Sequence, residues 1–226
     1  KRKKDMGFFS FTKEIAVDLG TANTLIIHND KIVINEPSIV AIDTRTGNMI
    51  AVGHEAKMMQ GREPDGIRTV RPLRKGVIAD FKAAELMIRG LIKKAGKKSS
   101  WFSPSLRMVV GIPSGSTEVE IRAVHDSSEK AGGRDVYMLY EPMAAALGIG
   151  LDVEAAEGNM VVDIGGGTSE IAVISLGGIV SNKSIPTAGD DLTDDIREHM
   201  RRAHNLKVGE RTAEEIKKHV GSALTE

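Results

Sequence analysis

Ile15-Ala16-Val17-Asp18-Leu19-Gly20 and Met160-Val161-Val162-Asp163-Ile164-Gly165 are two copies of one pattern: apolar strand, aspartate, apolar residue, glycine, small polar turn, second strand. Asp18 and Asp163 lie 145 positions apart, too far for a solenoid repeat. The duplication therefore predicts two lobes of common design, each presenting its turn to the other across a cleft.

A tight turn of glycine and small polar residues leaves backbone N–H groups unpaired and pointing one way, a concave nest for anionic oxygens. Singly, such a turn is an ordinary β-hairpin; the duplication argues for a ligand clamped from both sides, with phosphate the obvious guest. Asp18 and Asp163, at the strand ends, are placed to hold Mg2+ through its waters. Two other phosphate motifs are excluded. No G-x-x-x-x-G-K-[ST] sequence occurs, and a dinucleotide fingerprint needs a helix directly after its glycines, where here a strand follows.

Outward from the first copy, Thr24 to His28, Lys31 to Ile34 and Ile39 to Ile42 continue the strand pattern, so the opening reads as a β-meander. From Asp80 to Ala95 the apolar residues recur at helical spacing and Gly96 ends the run. Met108 to Ile112 reads as a buried strand, and Thr117 with Glu120 as a capping box opening a helix to about Lys130. Val136 to Tyr140 is a further strand, followed by a helix from Pro142 to Leu147 with proline at its first position. In the second copy a strand from Ser169 to Leu176 follows the glycines, and the remainder reads as helical: Asp191 to about His204, then a helix through Val220 capped by Thr212 and Glu215. Hairpins mixed with strand–helix units predict an α/β fold with mixed sheets.

With 226 residues, 41% of them hydrophobic, the chain is long enough for a proper core. Lys+Arg 31 against Asp+Glu 31 gives no global pull toward nucleic acid. The absence of cysteine excludes a disulfide scaffold and thiolate metal sites and fits a cytosolic, reducing setting. No stretch reaches the roughly 20 apolar residues of a membrane span, and Lys1 to Lys4 with Gly7, Phe8 and Phe9 lacks a signal peptide's apolar region. The first residue is Lys, and Glu226 follows directly on a helical pattern, so the sequence is expected to be a piece of a longer one.

Asp18-Leu19-Gly20-Thr21-Ala22-Asn23-Thr24, then Glu141-Pro142-Met143-Ala144-Ala145-Ala146-Leu147-Gly148, then Asp163-Ile164-Gly165-Gly166-Gly167-Thr168 resemble, in that order, the actin, sugar-kinase and seventy-kilodalton-chaperone ATPase superfamily. The wording is most similar to the MreB family of bacterial actin-like proteins. Val77-Ile78-Ala79-Asp80, Ile112-Pro113-Ser114-Gly115 and the run from Gly209 to Lys217 extend the match from about Glu14 onward. The resemblance implies an actin-like ATPase fold, with two related lobes of mixed sheets flanked by helices around a nucleotide cleft. It divides the chain into a first lobe over 1–154, with a small subdomain at about 42–74, and the start of a second over 155–226. It implies ATP with Mg2+ in the cleft, Thr21, Ala22 and Asn23 on one phosphate loop and Gly165, Gly166 and Gly167 on the other. Glu141 falls where the superfamily orients or deprotonates the attacking water, and Glu214, Glu215, Ile216 and Lys217 where the family contacts the adenosine. The family's later adenosine loop and closing C-terminal helix do not appear before Glu226.

The function so implied is a cytoskeletal, weakly hydrolysing ATPase that polymerises on the membrane and directs cell-wall synthesis and rod shape. Its implied partners are further copies of itself, the inner face of the cytoplasmic membrane and membrane-bound elongation proteins. The alternatives within the superfamily are a sugar kinase, for which no Asp base is apparent, and a chaperone-type ATPase. In the loop from Lys97 to Pro104, Trp101 and Phe102 are flanked by lysines; they either fold onto the core or, as the resemblance implies, insert into a membrane. Lys1 to Lys4 with Phe8, Phe9 and Phe11 could add a second basic–aromatic contact.

Overall fold

The computed structural model describes residues 12–96 and 105–224. The described residues open with three antiparallel strands, β1 (Thr12–Leu19), β2 (Asn23–His28) and β3 (Lys31–Pro37). Then come β4 (Val40–Asp43), β5 (Met49–Val52), α1 (His54–Met59), β6 (Ile67–Val70), the short pair β7 (Leu73–Arg74) and β8 (Val77–Ile78), and α2 (Phe81–Ala95). Next are β9 (Ser105–Ile112), α3 (Glu118–Lys130), β10 (Asp135–Tyr140) and α4 (Glu141–Gly148). The chain continues with β11 (Asn159–Ile164), β12 (Ser169–Ser175), β13 (Gly178–Ile185), α5 (Gly189–His204) and α6 (Glu210–Val220).

The first sheet has the order β10-β9-β1-β2-β3. It is mixed, because β9 and β10 arrive through helices, β9 pairing parallel to β1 and β10 parallel to β9, while the hairpins pair antiparallel. Alternation along β1 turns Ile15, Val17 and Leu19 to one face, where they pack with Met108, Val110, Met87 and Leu91. Those last two belong to α2, whose start is set by Asp80 accepting from the Ala83 N–H at 2.9 Å. The expected capping box of α3 forms as well, through Thr117 and Glu120. The second sheet, β11-β12-β13, is antiparallel throughout, and α4 covers one of its faces through Ala146 against Val161 and Ile174.

The two copies agree in register as well as in sequence. Asp18 pairs with Leu25 across the first hairpin and Asp163 with Glu170 across the second; Leu25 and Glu170 are again 145 positions apart.

Four expectations are corrected. The opening meander stops after three strands, because β4 leaves it to form a separate sheet, β5-β4-β6, around its own cluster of Ile39, Ala41, Ala51 and Ala56. The stretch after Gly177 is a strand, not the lead-in to a helix. β13 is a largely exposed edge whose composition lacks an apolar period, and its ladder to β12 makes it a strand. Thr212 does not cap α6, which starts two residues earlier with Gly209 as its N-cap, leaving Glu215 to pair with Arg211 at 3.3 Å. Pro142 occupies the second helical position of α4, since Glu141 opens it.

Candidate functional site

The turns of the two matching hairpins face each other across a cavity of about 400 Å3, lined by Asp18, Gly20, Thr21, Ala22 and Asn23 from one side and Asp163 and Gly165 to Thr168 from the other. Glu141 and Gly111 form part of its wall. The approach is close enough to require glycine. A Cβ on Gly166 would lie 2.6 Å from Ala22 Cβ, and one on Gly167 would lie 2.5 Å from Thr21 Oγ1. Gly165 to Gly167 all keep φ outside the left-handed region, so at Gly166 and Gly167 proximity to the opposite turn, not backbone freedom, demands the missing side chain.

Each turn is held from behind. Thr21 Oγ1 accepts from the Gly76 N–H at 2.9 Å. The Gly165 and Gly166 carbonyls accept from the Gly189 and Asp190 N–H groups at 3.1 and 2.8 Å, so the first turn of α5 braces the triple glycine. Arg71 joins the two sides, donating to Asp190 Oδ2 and Glu210 Oε1 at 2.9 Å each and reaching the Thr21 carbonyl at 3.5 Å.

Carboxylates converge where the strands end. Asp18 keeps accessible surface but lies in the cavity floor, and the surrounding protein, followed by the charge of Asp163, pushes its carboxyl above the usual range. Burial and then Glu170 raise Asp163. Glu141 is pushed up to about 8, by burial first and then by Asp18, Glu170 and Asp163. A floor of mutually repelling carboxylates beside a glycine-lined cradle suits a polyanion carried with a divalent cation, which the Asp18 and Asp163 carboxylates would hold.

Glu214, Glu215, Ile216 and Lys217 lie on α6, outside the lining of this cavity. Lys217 Nζ donates to the Gly189 carbonyl at 2.7 Å and to Thr193 Oγ1 at 2.9 Å, and lies 2.6 Å from Glu214 Oε2. Burial works against the Glu214 charge, but hydrogen bonds from Lys217, Thr193 and Lys218 outweigh it and hold the carboxyl at about 2. Glu214 and Lys217 thus reach the triple-glycine turn only through Gly189; Glu215 is exposed and Ile216 half-buried. Trp101, Phe102, Lys97, Lys98 and the segment from Lys1 to Phe11 lie outside the described residues. Lys94, beside that loop in sequence, is engaged with Glu36 at 2.7 Å. Among the described residues no helix is long and apolar enough to cross a membrane.

Reading the sequence alone passes over Arg71, Gly76, Asp190 and Glu170. Only Glu170 had a signal available, its place at Leu25's position in the repeat.

A family model described as MreB/Mbl protein matches residues 12–226. The chain belongs to the MreB/Mbl family. It is 49% identical to the cell shape-determining protein MreB of Escherichia coli strain K12 over 98% of this chain and 64% of that protein. It is 48% identical to the cell shape-determining protein Mbl of Bacillus subtilis strain 168, over 92% of this chain and 62% of that one. The chain thus spans a little under two thirds of the length of these curated MreB/Mbl relatives. Among solved structures, MreB5 of Spiroplasma citri bound to ADP superposes with a TM-score of 0.85 at 37% identity, covering 95% of this chain and 64% of that one. The same protein bound to AMPPNP gives 0.84 at 38%. A double-helical filament of MamK, at 18% identity and a TM-score of 0.73, shares the actin-like fold.

Proposed function

We propose that the protein binds Mg-ATP between its two lobes, polymerises with copies of itself into membrane-associated filaments, hydrolyses ATP slowly, and thereby directs cell-wall synthesis and rod shape. The observation that carries this reading is the meeting of two matched turns over a floor of carboxylates, with Glu141 in the wall of the same cavity. The nucleotide-bound Spiroplasma structures support it. Thr21 to Asn23 and Gly165 to Gly167 cradle the phosphates, while α6, through Glu214 to Lys217, flanks the adenosine. Mg2+, when bound near Asp18 and Asp163, supplies positive charge against the phosphates and the clustered acids. Glu141 orients the attacking water and takes its proton as the bond between the γ-phosphorus and the ADP oxygen breaks. In the free site its own proton is held at neutral pH, so it serves as a base only in a loaded, charge-compensated site.

We assign the first lobe to 1–154, with its small subdomain at about 42–74, and the start of the second to 155–226. Trp101 and Phe102, with the basic N-terminal segment, are assigned to membrane contact, which a filament multiplies through avidity. The test is addition of Mg-ATP to the full-length protein, followed by light scattering and phosphate release. A rise in scattering with slow phosphate release is expected. A flat trace with sugar-dependent ADP formation would replace this reading with a sugar kinase.

A further inference from the structure

Glu170 stands where the first hairpin has Leu25, and the two residues have different surroundings. Leu25 borders the cavity, whereas Glu170 is 1% exposed, enclosed where the second sheet meets the turn that follows β9. Its Oε2 accepts from the Ser114 N–H at 2.7 Å. Its Oε1 and the Ser114 hydroxyl, both buried, have no hydrogen-bond partner among the described residues. A carboxylate with one anchoring bond is an expensive group to enclose, so its presence where the sister copy places leucine calls for a task beyond packing.

The surroundings name that task. Asn182 of β13 donates to the Ser114 carbonyl at 3.0 Å, and a Cβ on Gly115 would lie 2.8 Å from Ser184 Cβ. The Pro113-Ser114-Gly115 turn is therefore seated on β12 and β13. Ser114 lies two residues past the end of β9, the strand whose Gly111 lies under Glu141, a Cβ there being 3.4 Å from Glu141 Cγ. At its other end Glu170 pairs across the hairpin with Asp163, two residues before the triple-glycine turn that approaches Ala22. One charge-assisted bond thus connects the strand beneath Glu141 to the hairpin that presents the glycine turn.

We propose that Glu170 is a positioning residue for hydrolysis, pinning the Ser114 turn so that Glu141 on the first lobe keeps its placement toward the glycine turn of the second. The proposal rests on the ATPase reading above. It acts through Ser114, β9 and Gly111, and requires no contact between Glu170 and the nucleotide.

The experiment uses the full-length protein with Glu170→Leu, which restores the sister residue and keeps the site filled, and Glu170→Gln, whose amide oxygen still accepts from Ser114. Single-turnover phosphate release, binding of a fluorescent ATP analogue, and hydrogen exchange of the 113–116 segment without nucleotide are read together. Glu170→Leu is expected to slow phosphate release ten- to a hundred-fold, to leave analogue affinity within about three-fold, and to speed exchange at Ser114, since hydrolysis depends steeply on placement. Glu170→Gln should stay within about three-fold of wild type in all three. Wild-type release in Glu170→Leu, equal slowing in both variants, or affinity falling in step with rate overturns the proposal. Should Glu170→Leu fail to fold, Glu170→Gln decides alone, a ten-fold slowing counting against it. Glu141→Gln, run alongside, separates the two readings: its unchanged turnover would remove the assumed role of Glu141, while exchange at Ser114 would still report on the tie.

Discussion

Ile15, Val17 and Leu19 in the first hairpin are 6%, 3% and 4% exposed, while Met160, Val162 and Ile164, 145 positions on, are 67%, 54% and 67% exposed. Strand, turn and register are the same in both. The difference lies in what these 226 residues, a little under two thirds of the length of the curated relatives, lay over the strands. In the first copy β9 and β10 widen the sheet and α2 and α3 close its face; in the second, α4 covers the opposite face, and α5 and α6 pack chiefly on each other. A strand's apolar pattern states a capacity for burial, and the covering elements decide whether it is used. The same contrast separates Leu25 from Glu170, one bordering the cavity and the other enclosed between the lobes.

The largest expected effect probes the charges that the two hairpins bring together. Glu141 ordinarily titrates near 4.5 and is raised to about 8 in the folded protein. Below pH 4.5 it is protonated whether folded or unfolded, and contributes no pH dependence. As pH rises toward 8 only the unfolded chain sheds the proton, so stability is progressively lost, by something on the order of 5 kcal/mol above pH 8. Glu141→Gln, which mimics the protonated form, should leave urea stability unchanged at pH 4 and raise it increasingly up to pH 8. A pH-independent difference would mean that the carboxylates do not meet as described.

Next in size is the burial contrast itself. Ile15→Ala in the 226-residue chain is expected to cost about 3 kcal/mol by urea unfolding, and Met160→Ala less than about 0.5 kcal/mol. Equal costs would break the comparison. A smaller effect belongs to the meeting of the turns: Gly166→Val, driven against Ala22, should weaken binding of an ATP analogue to the full-length protein by about 10- to 100-fold, an overpacking cost of roughly 1–3 kcal/mol. Unchanged affinity in a fluorescence titration would make the triple glycine a plain hairpin. Smallest is the difference between the paired glycines. A Cβ on Gly20 would meet the Asn23 carbonyl oxygen at 2.6 Å, but one on Gly165 meets the Thr168 carbonyl oxygen only at 3.3 Å. Gly20→Ala should therefore lower thermal stability more than Gly165→Ala, by about 1–2 kcal/mol.

Much of this molecule was legible as local code. The duplicated strand–Asp–turn motif announced two hairpins in matching register, and Asp80 and Thr117 marked helix starts that the structure keeps, because a cap or an alternating strand is a contract among residues a few positions apart. The facing turns followed from the duplication, and with them the placement of Thr21, Ala22, Asn23 and Gly165 to Gly167 around one cavity. Tertiary structure alone decided the rest. β13 is a strand because β12 lies beside it, and α6 begins at Glu210, with Gly209 as its N-cap, despite the capping pair at Thr212 and Glu215. The bracing of the glycine turn by α5 joins residues 24 positions apart, and the Arg71 bridge and the enclosure of Glu170 against Ser114 join residues 50 or more apart; a contact between such distant residues leaves no periodic mark in the order of side chains.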